Sequence, residues 1–123
     1  MEEKRRFVRL EQELSLTFAR QGPTGILRGD GLTKNISPTG LYFVTKTPLG
    51  VGEKIAILLV LPKSSKLIPL EGRVKWSHPS STKSLSPCEV GVEVSKVSDV
   101  DYTHYLLFVC DLLCDQLAQQ KLL

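Results

Sequence analysis

Leu70-Glu71-Gly72-Arg73-Val74-Lys75-Trp76-Ser77 sets Leu70, Gly72, Val74 and Trp76 against Glu71, Arg73, Lys75 and Ser77. A period of two is the mark of a strand with one face in a core and the other in water. The same alternation recurs on both sides of it. Leu14, Leu16 and Phe18 alternate with Ser15, Thr17 and Ala19, and Val90, Val92 and Val94 with Gly91, Glu93 and Ser95. Ile55 to Leu61 is apolar throughout, which predicts a central strand covered on both faces. Ile26 to Lys34 reads as a weaker strand, where Gly29 and Gly31 point to a bulge or a close backbone approach. Leu41 to Thr45 is a further extended run. Gln21-Gly22-Pro23-Thr24-Gly25, Thr47 to Gly52, Pro62 to Lys66 and Ser77 to Pro87 have the composition of turns and loops.

From Ser98 the period changes. Tyr102, Tyr105, Leu106, Val109, Leu112, Leu113 and Leu117 recur at helical spacing, and Ser98 with Asp101 resembles a capping box. About six short strands followed by one helix predict a small all-β barrel or sandwich with a C-terminal helix. That helix, from Ser98 to Leu122, runs about 35 Å at 1.5 Å per residue. A small barrel does not cover all of it. The excess around Leu113, Leu117, Leu122 and Leu123 offers a surface for a second copy or a partner, or else frays.

The chain has 123 residues, enough for one domain with a real core. Hydrophobic residues make up 41% and charged residues 24%, a globular composition. No apolar run approaches the length of a membrane span, and no signal peptide is visible. Cys88, Cys110 and Cys114 are an odd number, which favours reduced thiols in the cytoplasm. Cys110 and Cys114 lie four apart on the helix with His104 upstream. They are read as small buried hydrophobes and not as a metal site, because a site needs further converging ligands. No nucleophile elbow, phosphate loop or paired carboxylate is present, so the chain is read as a non-enzyme.

Two stretches stand out chemically. The N-terminal run Lys4-Arg5-Arg6-Phe7-Val8-Arg9 puts Arg5 and Arg9 four apart. Their like charges repel unless an anion or a planar electron-rich partner joins them, and a guanidinium fork suits both. By itself such a run is most simply a solvated chain end. The net charge of +3 is mild, and its clustering favours a local anion site over a nucleic-acid face. The second stretch is Asn35-Ile36-Ser37-Pro38-Thr39-Gly40. Pro and Gly make a turn, and at a strand end Asn35 and Ser37 would project the same way with an amide and a hydroxyl. Gly40 permits a positive φ or a close approach to its backbone.

Together, Arg5-x-x-x-Arg9 and Asn35-x-Ser37-x-x-Gly40 resemble the PilZ domain family. Leu49 and Gly52, Leu61-Pro62, Gly72-Arg73-Val74 and Gly91-Val92-Glu93-Val94 are similar to the family's pattern as well. Asn35 stands where Asp is commoner, and Val94 where an aromatic is frequent. The resemblance implies a six-stranded antiparallel β-barrel with a C-terminal helix, acting as a receptor for cyclic di-GMP, with no cofactor besides that ligand. It implies a mobile clamp over residues 1–12, a barrel over 13–97 and a helix over 98–122. By carry-over, Arg5 and Arg9 clamp the ligand and Arg6 adds a phosphate contact. Asn35 and Ser37 hold a guanine edge, and Gly40 shapes the loop. Arginine can pair with guanine, stack on it or grip a phosphate. Trp76 reads first as a core residue, and its strand neighbours Arg73 and Lys75 leave open a stacking role beside a guanine. The expected partners are cyclic di-GMP, a downstream protein and a second copy through the helix, with no membrane insertion. The alternative is a PilZ-like interaction module without ligand. An oligonucleotide-binding barrel would want more exposed aromatics than four Phe, three Tyr and one Trp supply.

Overall fold

The computed structural model describes residues 10–62, 66–79, 88–96 and 98–122. Seven strands precede one helix: β1 (Leu10–Glu11), β2 (Ser15–Gly22), β3 (Gly25–Ser37), β4 (Gly40–Thr45), β5 (Lys54–Val60), β6 (Leu67–Pro79), β7 (Cys88–Lys96) and α1 (Asp99–Leu122). All pairings are antiparallel. The order β3-β2-β5-β6-β7-β4 closes through β3–β4 into a six-stranded barrel, and β1 lies outside it against β3. The expected barrel and helix are thus borne out, with one outer strand in addition.

The inward residues follow the alternation, except that an irregularity in the β6–β7 ladder between Val74 and Trp76 turns Trp76 off the core side and sets it opposite Gly91. Leu16 and Phe18, Leu41 and Phe43, Ile55, Ile57 and Leu59, Ile68, Leu70 and Val74, and Val90 and Val92 are all buried. Two corrections concern this layer. Ile55 to Leu61 is not covered on both faces: Ala56 is exposed and Leu58 is 41% exposed, because each strand of a lone barrel has solvent on its outer side. Ser77 and His78 are not loop but belong to β6, held by pairing to Val90 and Glu89. On α1 the expectation that both helical cysteines are buried is corrected too: Tyr105 and Val109 are buried against the barrel, and Cys110 and Cys114, on the adjoining stripe, are exposed.

The glycines of β3 make close approaches. A Cβ at Gly29 would lie 2.5 Å from the Phe18 ring, and one at Gly31 would lie 2.7 Å from Phe43. The irregularity in the β3–β4 ladder falls elsewhere, between Thr33 and Asn35.

Thr33 is fully buried beside that point. Its hydroxyl accepts from the Leu14 amide at 2.7 Å and donates to the Gln12 carbonyl, so it holds the bend between β1 and β2. That bend lays Leu10 opposite Ile36 and Glu11 opposite Asn35. Thr33→Val keeps the shape and strands a buried amide and carbonyl. The variant should lose about 1–3 kcal/mol in urea unfolding. A loss within error would show that the bend is held by other contacts.

Candidate ligand-binding face

β3 ends in Asn35-Ile36-Ser37. Ile36 is buried, so Asn35 and Ser37 point to the outer face, both half-buried. The hexad is therefore half strand and half turn, and only Pro38 and Thr39 lie between the paired residues Ser37 and Gly40. Ser37 Oγ is 3.4 Å from the Thr39 amide and 3.5 Å from the Gly40 carbonyl oxygen, contacts long enough to yield to a better partner. Gly40 does not have the positive φ that its type allows. It is needed because a Cβ there would lie 2.6 Å from the Val92 carbonyl oxygen. The close approach at Gly40 is thus made by the protein's own β7.

Two transverse rows cross this face. Ser37 stands opposite Gly40, Gly40 opposite Glu93, and Glu93 opposite Arg73. The Arg73 guanidinium donates to the Gly52 carbonyl at 2.8 Å. In the other row Asn35 faces Tyr42, Tyr42 faces Gly91, and Gly91 faces Trp76. A Cβ at Gly91 would meet the Trp76 indole at 2.2 Å, so glycine lets that ring lie down over β7. Tyr42 meets Trp76 edge-on with centroids 5.2 Å apart, and His78 stacks on Trp76 at 5.1 Å. The Tyr42 hydroxyl donates to Glu89. That bond, with some burial and the carboxylate charge, raises the Tyr42 hydroxyl above the usual tyrosine range. An amide, a hydroxyl and an aromatic shelf thus share one face.

The structure brings together Asn35, Ser37 and Gly40 of the predicted site. Arg5, Arg6 and Arg9 lie outside the described residues. Tyr42 and Glu89 were not picked out in the sequence, although Tyr42 sits at the outward step between buried Leu41 and Phe43. A concavity of about 800 Å³ lies elsewhere, over Ala19, Ala56, Leu58 and Pro69, and does not include the motif.

The PilZ domain family matches residues 3–109. The chain belongs to the PilZ domain family. No curated protein matches the sequence. Among solved structures, the chain is similar to MrkH of K. pneumonia in its complex with c-di-GMP, at 20% identity and a TM-score of 0.72, covering 97% of this chain and 56% of that one. The Bacillus subtilis inhibitor of motility MotI/DgrA matches at 20% identity and a TM-score of 0.69, covering 94% and 52%. The PilZ domain of YcgR from Escherichia coli, also with c-di-GMP, matches at 13% identity and a TM-score of 0.67, covering 97% of each chain. The chain spans about half the length of MotI and MrkH. At these identities the likeness is one of fold.

The turn at Ser37 and Pro38 is tied to α1 from below. Ser98 caps the helix, its hydroxyl accepting from the Asp101 amide at 3.1 Å and donating to the Asp101 carboxylate at 2.6 Å. One turn on, the Tyr105 hydroxyl donates to the Ser37 carbonyl at 2.6 Å, and that of Tyr102 to the Pro38 carbonyl at 3.4 Å. Tyr105 is fully buried. Burial pushes its hydroxyl far above the ordinary range, against the smaller opposite pull of the bond to Ser37. A tyrosine raised in the folded state stabilises fully below its unfolded pKa of about 10, and that contribution is lost as pH rises further. Stability should therefore fall above about pH 10 by up to about 1.4 kcal/mol per pH unit for this one group. Tyr105→Phe should remove that part of the slope and cost about 1–2 kcal/mol at neutral pH. Denaturant titrations of both proteins at several alkaline pH values measure it, and parallel curves would refute the assignment.

Proposed function

We propose that the chain is a receptor for cyclic di-GMP that passes the signal to a protein partner in the cytoplasm and catalyses no reaction. The observation that carries this reading is the meeting of β1 with the motif: Leu10 and Glu11 pair with Ile36 and Asn35. Arg9 directly precedes Leu10 in sequence, and that adjacency supports a role for the arginine segment beside Asn35 and Ser37. The solved complexes of MrkH and of the YcgR PilZ domain with c-di-GMP support the same ligand here.

In this reading residues 1–12 form the clamp, 13–97 the barrel and 98–122 the output helix. Asn35 and Ser37 hold a guanine edge through amide and hydroxyl, and Gly40 keeps the turn tight. Arg5 and Arg9 close over the ligand, by pairing with guanine, stacking or gripping phosphate, and Arg6 adds a phosphate contact. Tyr42 and Trp76 present aromatic surface to a base beside Asn35. Ordering the arginine segment costs conformational entropy that the new contacts must exceed. The bound segment alters the outer surface, while the carbonyls of Ser37 and Pro38 carry any shift of the turn to Tyr105 and Tyr102.

Calorimetric titration tests the reading, with GTP as the control. Saturable binding of cyclic di-GMP but not of GTP is expected. Arg9→Ala should weaken it at least about tenfold, a change of about 1.4 kcal/mol. Absence of heat with a sample shown to be folded by circular dichroism would overturn the receptor reading.

A further inference from the structure

β7 crosses the face that bears Asn35 between β4 and β6. Val90 and Val92 are buried, so Glu89, Gly91 and Glu93 take the outer side. Gly91 leaves a gap that the Trp76 indole fills, with Tyr42 edge-on to it and His78 stacked on it. A carboxylate therefore stands at either end of the aromatic shelf. The two are held differently. Glu93 is exposed, and its carboxylate lies 3.8 Å from the Lys75 ammonium. Glu89 is half-buried, and its Oε1 accepts from the Tyr42 hydroxyl. Among the described residues, Glu89 Oε2 takes no hydrogen bond. One oriented carboxylate thus borders a stack of rings with acceptor capacity to spare.

The motif by itself leaves the identity of a base open. The Asn35 amide and the Ser37 hydroxyl each donate and accept, so either can turn to suit guanine or adenine. A carboxylate only accepts. Guanine offers it two adjacent donors on one edge, N1–H and the 2-amino group. Adenine presents the N1 lone pair at that place, which a carboxylate repels. A base stacked on an aromatic side chain keeps that edge free for hydrogen bonding at the rim.

We infer that Glu89 is the residue that selects guanine, its carboxylate taking the N1–H and 2-amino edge of a base that lies on the Trp76 shelf. Tyr42 is the positioning residue that holds this carboxylate at the rim. The inference deepens the receptor reading and rests on it. Cyclic di-GMP carries two guanines, so it has an edge for Glu89 as well as one for Asn35 and Ser37.

Competition calorimetry on the full chain tests it, with cyclic di-GMP against cyclic di-IMP, which lacks only the 2-amino groups. The wild type should prefer cyclic di-GMP at least about tenfold. Glu89→Gln keeps the shape and an acceptor for Tyr42, but can turn an amide N–H toward the base. It should cut the preference at least about fivefold. Tyr42→Phe, which frees the carboxylate, should cut it by a smaller factor. A Glu89→Gln variant that loses affinity for both nucleotides in equal measure, with the preference intact, overturns the inference and leaves Glu89 a part of the wall. A preference that falls with Glu11→Gln, opposite Asn35 on β1, and not with Glu89→Gln overturns it as well. So does a wild type that binds both nucleotides equally. A wild type that binds neither overturns the receptor reading itself, and this inference with it.

Discussion

Every feature of the face that bears Asn35 and Ser37 depends on how β3 is paired. Its first half is zipped to β2, and its second half lies between β1 and β4. The barrel closes through that second half. Burial of Ile36 fixes the register there, since a slip by one residue would send its side chain into water and bring Asn35 and Ser37 into the core. Closure of the barrel and presentation of the two polar side chains are thus one constraint. A motif at the end of a free strand would be at liberty to fray, whereas this one is held from both sides.

The helix grips the same strand end through a different set of atoms. Tyr105 and Tyr102 take the backbone oxygens of Ser37 and Pro38, leaving the Ser37 hydroxyl on the outer face. The two functions of one residue are thereby separated, with the side chain offered outward and the carbonyl bound inward. Ser37→Ala removes the first and leaves the second in place. The barrel end is also where α1 meets the core, so a displacement of the turn and one of the helix are not independent.

Much of this was legible in the sequence. The strands around Leu16, Val74 and Val92 announce themselves by alternation, because a one-sided strand must alternate. The helix announces itself by the change of period at Ser98. The reading of Ile55 to Leu61 failed for a physical reason: an apolar outer face looks the same in one dimension whether or not another layer covers it. The cysteines failed likewise, since helical periodicity shows an apolar side chain but not which of two adjoining stripes the barrel takes. Of the candidate face, the motif spacing drew attention to Asn35, Ser37 and Gly40, which strand pairing brings together. It did not locate Tyr42, whose place beside Asn35 comes from strand pairing, or the contact of Tyr105 with Ser37, sixty-eight positions away. Nor did it show that Gly91 exists to admit the Trp76 ring, a relation that only the cross-strand register exposes.

That indole gives the protein an optical property. Trp76 is the only tryptophan in the chain, so all indole emission originates from a single spot on the barrel wall. It lies across β7 from Tyr42, with an imidazole stacked against it and glycine beneath it. Its surroundings are half water and half ring, a mixture to which indole emission is sensitive. The native chain carries an internal reporter on the face that bears Asn35, with no label attached and no second indole to dilute the signal.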